Sequence, residues 1–387
     1  MPSNDLPARR RAPLWAKLLL SLAAFCIPAA LLELGARVFL DPVPGHAFPG
    51  LSEGTTPDER LLWRNLPGYA KRDVHGPINS LGFRGPEVEL EKPDGVTRIL
   101  SLGESSAFGD GVQWDEAFAP VLERELRQRG QDVQVWNGGV RAWSSVQSLR
   151  FVEQEIERLD ADAILFYHEV NDFLPTVLRH VRLRSIGLTD RETMDIMSGR
   201  AWLLRFVRGS RFLTWLSLAK ARRGADAVLK RIGEMYDQDV MQILLLPYRR
   251  LDHIAKPGTR PWMDNPNPLV RVPDPDREET LRELIALTRS RGVDLVLYHP
   301  AYRVSLPHRC LLTRIAEQEG VPIIEVEDLL SLDAQQAGLT KDDYFLADDP
   351  YHPNVRGHRV IGRGTADVLA ELLEDGAATG PDAMAHP

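Results

Sequence analysis

The chain holds 387 residues, with 47 Lys and Arg against 55 Asp and Glu, a net charge of −8 and 43% hydrophobic side chains. That length admits two average domains or one large domain with additions, and the acidic balance carries no general nucleic-acid footprint. Its two cysteines, Cys26 and Cys310, exclude a disulfide-stapled fold. No Cys/His cluster has zinc-ligand spacing; neither a metal nor an organic cofactor is expected.

Arg9, Arg10, Arg11 and Lys17 precede Leu18–Leu32, an apolar run without a charge, and the pattern resumes through Leu34–Leu40 around Glu33 and Arg37. About 20 apolar residues span a bilayer; Pro13–Leu32 reaches that, with Lys17 able to snorkel. The basic flank, residues 1–12, predicts a cytoplasmic amino terminus. A transmembrane anchor over 13–40 then places the remainder on the periplasmic side of the inner membrane. A cleaved signal peptide is the rival reading, although Pro28 and Leu31 beside Ala29 and Ala30 make a poor cleavage site, and Phe25 before Cys26 a poor lipoprotein site. A core helix of a soluble domain is the third.

Asp41–Arg60 is rich in Pro and Gly, lacks periodicity and reads as a tether; residues 41–96 form a linker and approach segment. Within it, Asn79-Ser80-Leu81-Gly82-Phe83-Arg84-Gly85 reads as a structured turn, either beside a site or on plain surface. Arg98–Leu102 is the first strand. It stops at Gly103, and Gly103-Glu104-Ser105-Ser106 forms a turn that presents a serine at the strand's carboxyl end, where open α/β sheets bind ligands. The glycine two residues after the serine that a Gly-x-Ser-x-Gly elbow needs is missing. A helix pattern follows from about Trp114, strongest over Phe118–Arg129.

Val133–Trp136 is the second strand, ending in a small-residue loop, Asn137–Ser144. Ser144 or Ser145 caps a helix that runs to Leu159. Ala163–Tyr167 is the third strand, followed by His168-Glu169-Val170-Asn171-Asp172. Residues 173–269 break the rhythm with an arginine-rich helical insertion around Ala201–Lys230. Its aromatics pack on the domain, or it lies on a membrane surface, or it forms a lid for an anionic polymer. A helix over Asp276–Arg291, a strand over Val293–Tyr298, a helix over Leu311–Glu319 and a strand over Val321–Val326 resume the alternation. A last helix spans Val355–Leu373, and 376–387 is expected to be a disordered tail. Strands alternating with helices predict a parallel sheet covered on both faces.

Ahead of the last helix stands Asp349-Pro350-Tyr351-His352-Pro353-Asn354. In a tight turn the Asp349 carboxylate reaches the His352 imidazole, fixing its tautomer and stabilising its charged form. Such a histidine takes the proton of a serine hydroxyl, a weak nucleophile unaided. Gly-x-Ser after the first strand, Asn-x-x-x-x-small after the second, Asn171-Asp172 after the third and the terminal Asp-x-x-His-Pro-Asn together resemble the SGNH (GDSL-like) hydrolase superfamily over Thr97–Leu373. The lead-in Asn79–Gly85 and the anchor resemble its membrane-anchored bacterial members.

The resemblance implies an α/β fold, a three-layer αβα sandwich on a five-stranded parallel, flavodoxin-like sheet, with the domain over 97–375. It implies Ser105 as nucleophile, His352 as base, Asp349 as orienting acid, and an oxyanion hole from Ser105, Ala142 and Asn171. Glu104, Ala142 and Glu169 depart from the family's Asp, Gly and Gly. Glu104 would orient the turn with a longer arm, the Ala142 methyl would crowd the acyl pocket or change the loop's dihedrals, and Glu169 would oppose an anionic intermediate if it points inward. An extracytoplasmic ester hydrolase, an O-acyltransferase using a sugar hydroxyl in place of water, and a non-catalytic glycan-binding or scaffolding protein with a degraded site remain open. The implied partners are an acylated small molecule or polysaccharide and the membrane.

Overall fold

A computed structural model of the chain describes residues 13–39, 54–58, 60–71, 73, 76–173, 189–198, 210–213, 215–216, 271–303, 310–347, 349 and 351–378. The expected basic stretch 1–12, nearly all of the arginine-rich region and residues 379–387 lie outside the described residues.

Helix α1, Leu14–Phe39, is 26 residues long with Pro28 inside it. It is long and apolar enough to cross a membrane, with a mean hydropathy of 2.1 over its best window. At 1.5 Å per residue it spans about 39 Å, beyond the ~30 Å of a hydrocarbon core. Apart from Lys17, Ser21, Glu33 and Arg37 its side chains are apolar, and they are largely exposed, with Ala36 the buried exception. Near its end Glu33 accepts hydrogen bonds from Ser210 Oγ at 2.7 Å and from the N–H groups of Arg211 and Phe212, each at 3.1 Å.

The expected irregular tether is partly ordered. Strands β1, Thr55–Asp58, and β2, Leu62–Asn65, form an antiparallel pair. The cause is burial: Leu61, Leu62 and Trp63 join Val140, Trp143, Val146 and Val272 in one apolar cluster. The Trp63 indole donates to Arg141 O at 3.0 Å, and the Trp143 indole donates to Trp63 O at 2.8 Å. A buried indole N–H needs such a partner.

The main sheet holds β3, Thr97–Gly103, β4, Val133–Gly139, β5, Ala163–Tyr167, β6, Asp294–His299, and β7, Ile323–Glu325. All neighbours are parallel, in the order β4-β3-β5-β6-β7, the flavodoxin-like order. Alternate strand residues feed two cores. Ile99, Val135, Leu165, Tyr167, Val296 and Tyr298 pack with helices α3, Phe118–Gln128, and α10, Val355–Ala378, on one face. Leu100, Leu102, Trp136, Phe166 and Leu297 pack with α4, Ser145–Leu159, and α7, Asp274–Ser290, on the other. The result is the expected three-layer αβα sandwich.

Four boundaries are corrected. The helix expected from Trp114 opens as a 3-10 turn, Trp114–Glu116, before α3. Strand β4 continues through Asn137-Gly138-Gly139, where a loop was expected, because Leu102 and Gly103 pair with Gly138 and Gly139. Strand β7 is short, and Val326, expected to end it, begins helix α9, Val326–Ala337. Glu327 and Asp328 in its first turn favour that start. Helix α10 runs on to Ala378, past the expected start of the tail.

Candidate active site

At the carboxyl end of β3 the chain turns into the short helix α2, Ser105–Phe108, which puts Ser105 in its first position. Two glycines allow the approach. A Cβ on Gly103 would lie 2.4 Å from Tyr167 O, and one on Gly139 would lie 2.3 Å from Phe108 N. Gly109 at φ +86 ends the helix, its N–H returning to Ser105 O at 3.0 Å. The Asn79–Gly85 turn packs under this helix. Arg84 Nη1 donates to Phe108 O at 2.7 Å and Gly109 O at 2.8 Å, and Nη2 to Val112 O at 2.7 Å.

The second component comes from the loop before α10. Asp349 Oδ1 accepts the N–H groups of Tyr351 at 2.8 Å and His352 at 3.1 Å, so the carboxylate shapes the turn that carries the histidine. Asp349 Oδ2 lies 2.7 Å from His352 Nδ1, and His352 Nε2 lies 2.8 Å from Ser105 Oγ. An acceptor at Nδ1 assigns the proton to that nitrogen and leaves the Nε2 lone pair facing the hydroxyl. Asn354 fixes the loop to α10, accepting from Arg356 N–H at 2.9 Å and Gly357 N–H at 3.1 Å. Desolvation works to lower the His352 pKa, but its bond to Asp349 and that carboxylate's charge outweigh it and hold the pKa above the ordinary imidazole value. Asp349 is held below the usual carboxylate range: burial acts to raise it, and the bond and charge of His352 prevail.

The third component is helix α5, Val170–Phe173, after β5. Glu104, fully buried, accepts the Asn171 N–H on Oε2 at 3.0 Å. The Glu104 side chain therefore ties the serine turn to the helix that carries the asparagine. Tyr302 Oη accepts the Val170 N–H at 3.0 Å and lies 3.5 Å from Glu104 Oε1. Burial pushes the Glu104 pKa up to about 8. Glu169 pairs with His299 Nε2 at 3.4 Å and Arg277 Nη2 at 3.8 Å, which supply the counter-charge for its buried carboxyl.

Ala142 stands in the loop after β4 at φ +68. The methyl does alter the demand on the backbone: a left-handed conformation costs a non-glycine residue roughly 1–2 kcal/mol. The loop is tied to the strand end by Val140 N–H donating to Gly103 O at 3.0 Å, and the Ala142 carbonyl accepts from Arg271 Nη1 at 3.0 Å.

The structure thus brings Ser105, His352 and Asp349 into one hydrogen-bonded chain and joins Glu104 to Asn171. Of the two readings of the Asn79–Gly85 turn, Arg84's bonds to the serine helix bear out the one beside the site; sequence reading missed Tyr302, Arg271 and Asp190. The signal for Arg271 is faint: a cation between Val270 and Val272 just before a helix. No spacing connects it to Asp190, 81 positions away. Chemically, the assembly can remove a proton from Ser105 and hold the resulting imidazolium. Among the described residues no group of three or more His, Cys, Asp and Glu could hold a metal ion.

No family model matches the chain, and no curated protein matches it. Among solved structures it is similar to an alpha/beta hydrolase from the metagenome of Lake Arreo, Spain, at 16% identity over 71% of this chain and 94% of that one, with a TM-score of 0.40. It is similar also to a psychrotrophic esterase from Pseudoalteromonas, at 13% identity over 72% and 99%, TM-score 0.38. A third is a mutant of an acetyl-xylooligosaccharide esterase from Geobacillus, at 14% identity over 70% and 93%, TM-score 0.39.

Proposed function

We propose that the chain is a serine ester hydrolase tethered by α1, with the domain over 97–375 and its insertion at 173–269 on the periplasmic side of the inner membrane. The observation that carries the activity is the Asp349–His352–Ser105 chain, with links of 2.7 and 2.8 Å at the carboxyl end of a parallel sheet. That arrangement supports an enzyme over a glycan-binding protein with a degraded site, because a binding role has no use for an oriented base on a serine. The anchored location rests on the length and apolarity of α1 and on the basic flank at Arg9–Arg11.

In the proposed reaction, Ser105 Oγ attacks the ester carbonyl as His352 Nε2 takes its proton. The tetrahedral oxyanion is held by the N–H groups of Ser105 and Ala142 and the Asn171 carboxamide. Its collapse expels the alcohol, which takes the proton from His352, and leaves an acyl group on Ser105. Water, deprotonated by the same imidazole, resolves the acyl-enzyme. The acylated small molecule or polysaccharide that serves as substrate is identified by its ester carbonyl alone.

The test is turnover of chromogenic acetyl and butyryl esters by the detergent-solubilised full chain. Ser105→Ala is expected to lower kcat by about 10⁴-fold or more, with an unchanged melting temperature. Turnover retained in Ser105→Ala overturns the proposal. Acyl transfer to an added oligosaccharide that outpaces hydrolysis would make the protein an O-acyltransferase with the same residues.

A further inference from the structure

Both carbonyls that flank the Ala142 nitrogen and follow its Cα are held by fully buried side chains from distant parts of the chain. The Trp63 indole N–H donates to Arg141 O at 3.0 Å, and Arg271 Nη1 donates to Ala142 O at 3.0 Å. Trp63 and Arg271 are each 0% exposed. A peptide unit is planar and trans, so the Arg141 carbonyl and the Ala142 N–H point in opposite directions. Fixing the first aims the second. Ala142 keeps its φ of +68 because its surroundings over-determine it, and residues held in such conformations cluster at functional sites.

Arg271 reaches further. Nη1 also lies 3.4 Å from Asn171 O, and Nη2 donates to Gln147 Oε1 at 3.0 Å. The counter-charge is Asp190, equally buried, at 2.6 Å from Nη2 and 3.3 Å from Nε. The Asp190 N–H returns to Arg271 O at 2.7 Å, and Val272 N–H donates to Asp172 O at 3.0 Å. Gln147 Oε1 accepts the Ser144 N–H as well, at 3.0 Å. One cation therefore joins the loop after β4 to the helix that carries Asn171.

We infer that Trp63 and Arg271 are positioning residues that aim the Ala142 amide, and hold the Asn171 backbone beside it, for the oxyanion of acyl transfer. The inference rests on the ester-hydrolase reading of Ser105. A charge-paired arginine whose task was stability alone has no need to end on the carbonyls of both donor residues.

The test uses the detergent-solubilised full chain and a chromogenic acetyl ester, below the lowest melting temperature of the set. Arg271→Met and Trp63→Phe are each expected to lower kcat by about 10²-fold, with KM within about threefold of the parent. Adding Ala142→Gly to Arg271→Met is expected to restore kcat about tenfold, since glycine adopts positive φ without a side-chain penalty. Trp63→Phe keeps an aromatic ring and removes the donor, so it decides the matter if Arg271→Met does not fold. A folded variant with a lowered melting temperature and the parent's kcat overturns the inference, as does a raised KM at unchanged kcat. Ser105→Ala in the same series separates the two levels. If it still turns over ester, the hydrolase reading fails. If it is dead while Trp63→Phe and Arg271→Met work at full kcat, only the positioning role fails.

Discussion

In the proposed mechanism His352 must be neutral to accept a proton, so kcat/KM is expected to rise as pH climbs through its pKa. Desolvation favours the neutral ring, but Asp349 prevails and holds the pKa above 6.5. The acid limb of the pH–rate profile is therefore expected above pH 6.5. Asp349→Asn removes the raising partner: the limb should move to lower pH while the plateau falls by about 10²–10⁴-fold, read from kcat/KM between pH 5 and 9. Glu104 bears on stability rather than on rate. Its pKa is about 8 in the folded chain and 4.5 in the ordinary state. Between those values the unfolded chain sheds a proton that the folded chain keeps, so folding weakens as pH rises through that window. Glu104→Gln, which keeps an acceptor for the Asn171 N–H, should stabilise the protein at pH 8 relative to pH 5. Urea unfolding at the two pH values should show a difference on the order of 3 kcal/mol; equal effects at both would contradict the buried neutral carboxyl.

At the scale of elements, the serine helix α2 depends on the last residue of β4. A Cβ on Gly139 would meet Phe108 N at 2.3 Å and Phe108 Cα at 2.6 Å, so Gly139→Ala must displace α2. The expected cost is about 2–3 kcal/mol in chemical unfolding, together with a loss of ester turnover at temperatures where the variant stays folded. This contact also explains what the sequence concealed. Asn137-Gly138-Gly139 has the composition of a loop and glycine is depleted in strands, yet the glycines are needed where a helix crosses the strand end. Val326 closes an apolar run and so reads as strand, while the acidic turn behind it starts a helix. The alternating strands, by contrast, were readable because each residue's face is set by its immediate neighbours. Asp349 and His352 were readable because three positions in one turn decide their contact. Trp63 meets Arg141 across 78 positions and Arg271 meets Asp190 across 81, and no local pattern encodes such meetings.

For the molecule as a whole, the proposed anchor puts the exposed apolar surface of α1, with Leu14, Leu20 and Phe25 all more than 70% exposed, into a bilayer. The full chain is expected in the membrane fraction and resistant to alkaline extraction. A variant beginning at residue 41 should be soluble and should keep kcat, whereas one beginning at residue 70 loses Leu61, Leu62 and Trp63 and should aggregate. Soluble full-length protein would contradict the anchor; an active variant from residue 70 would contradict the role given to the β1–β2 pair.

Ser105 and His352, its hydrogen-bond partner, are 247 positions apart. Because a ribosome releases a chain amino end first, the hydroxyl is finished long before the imidazole exists. On the proposed mechanism a nascent chain therefore carries an inert alcohol, since serine without a base is a weak nucleophile, and is not expected to acylate itself during synthesis.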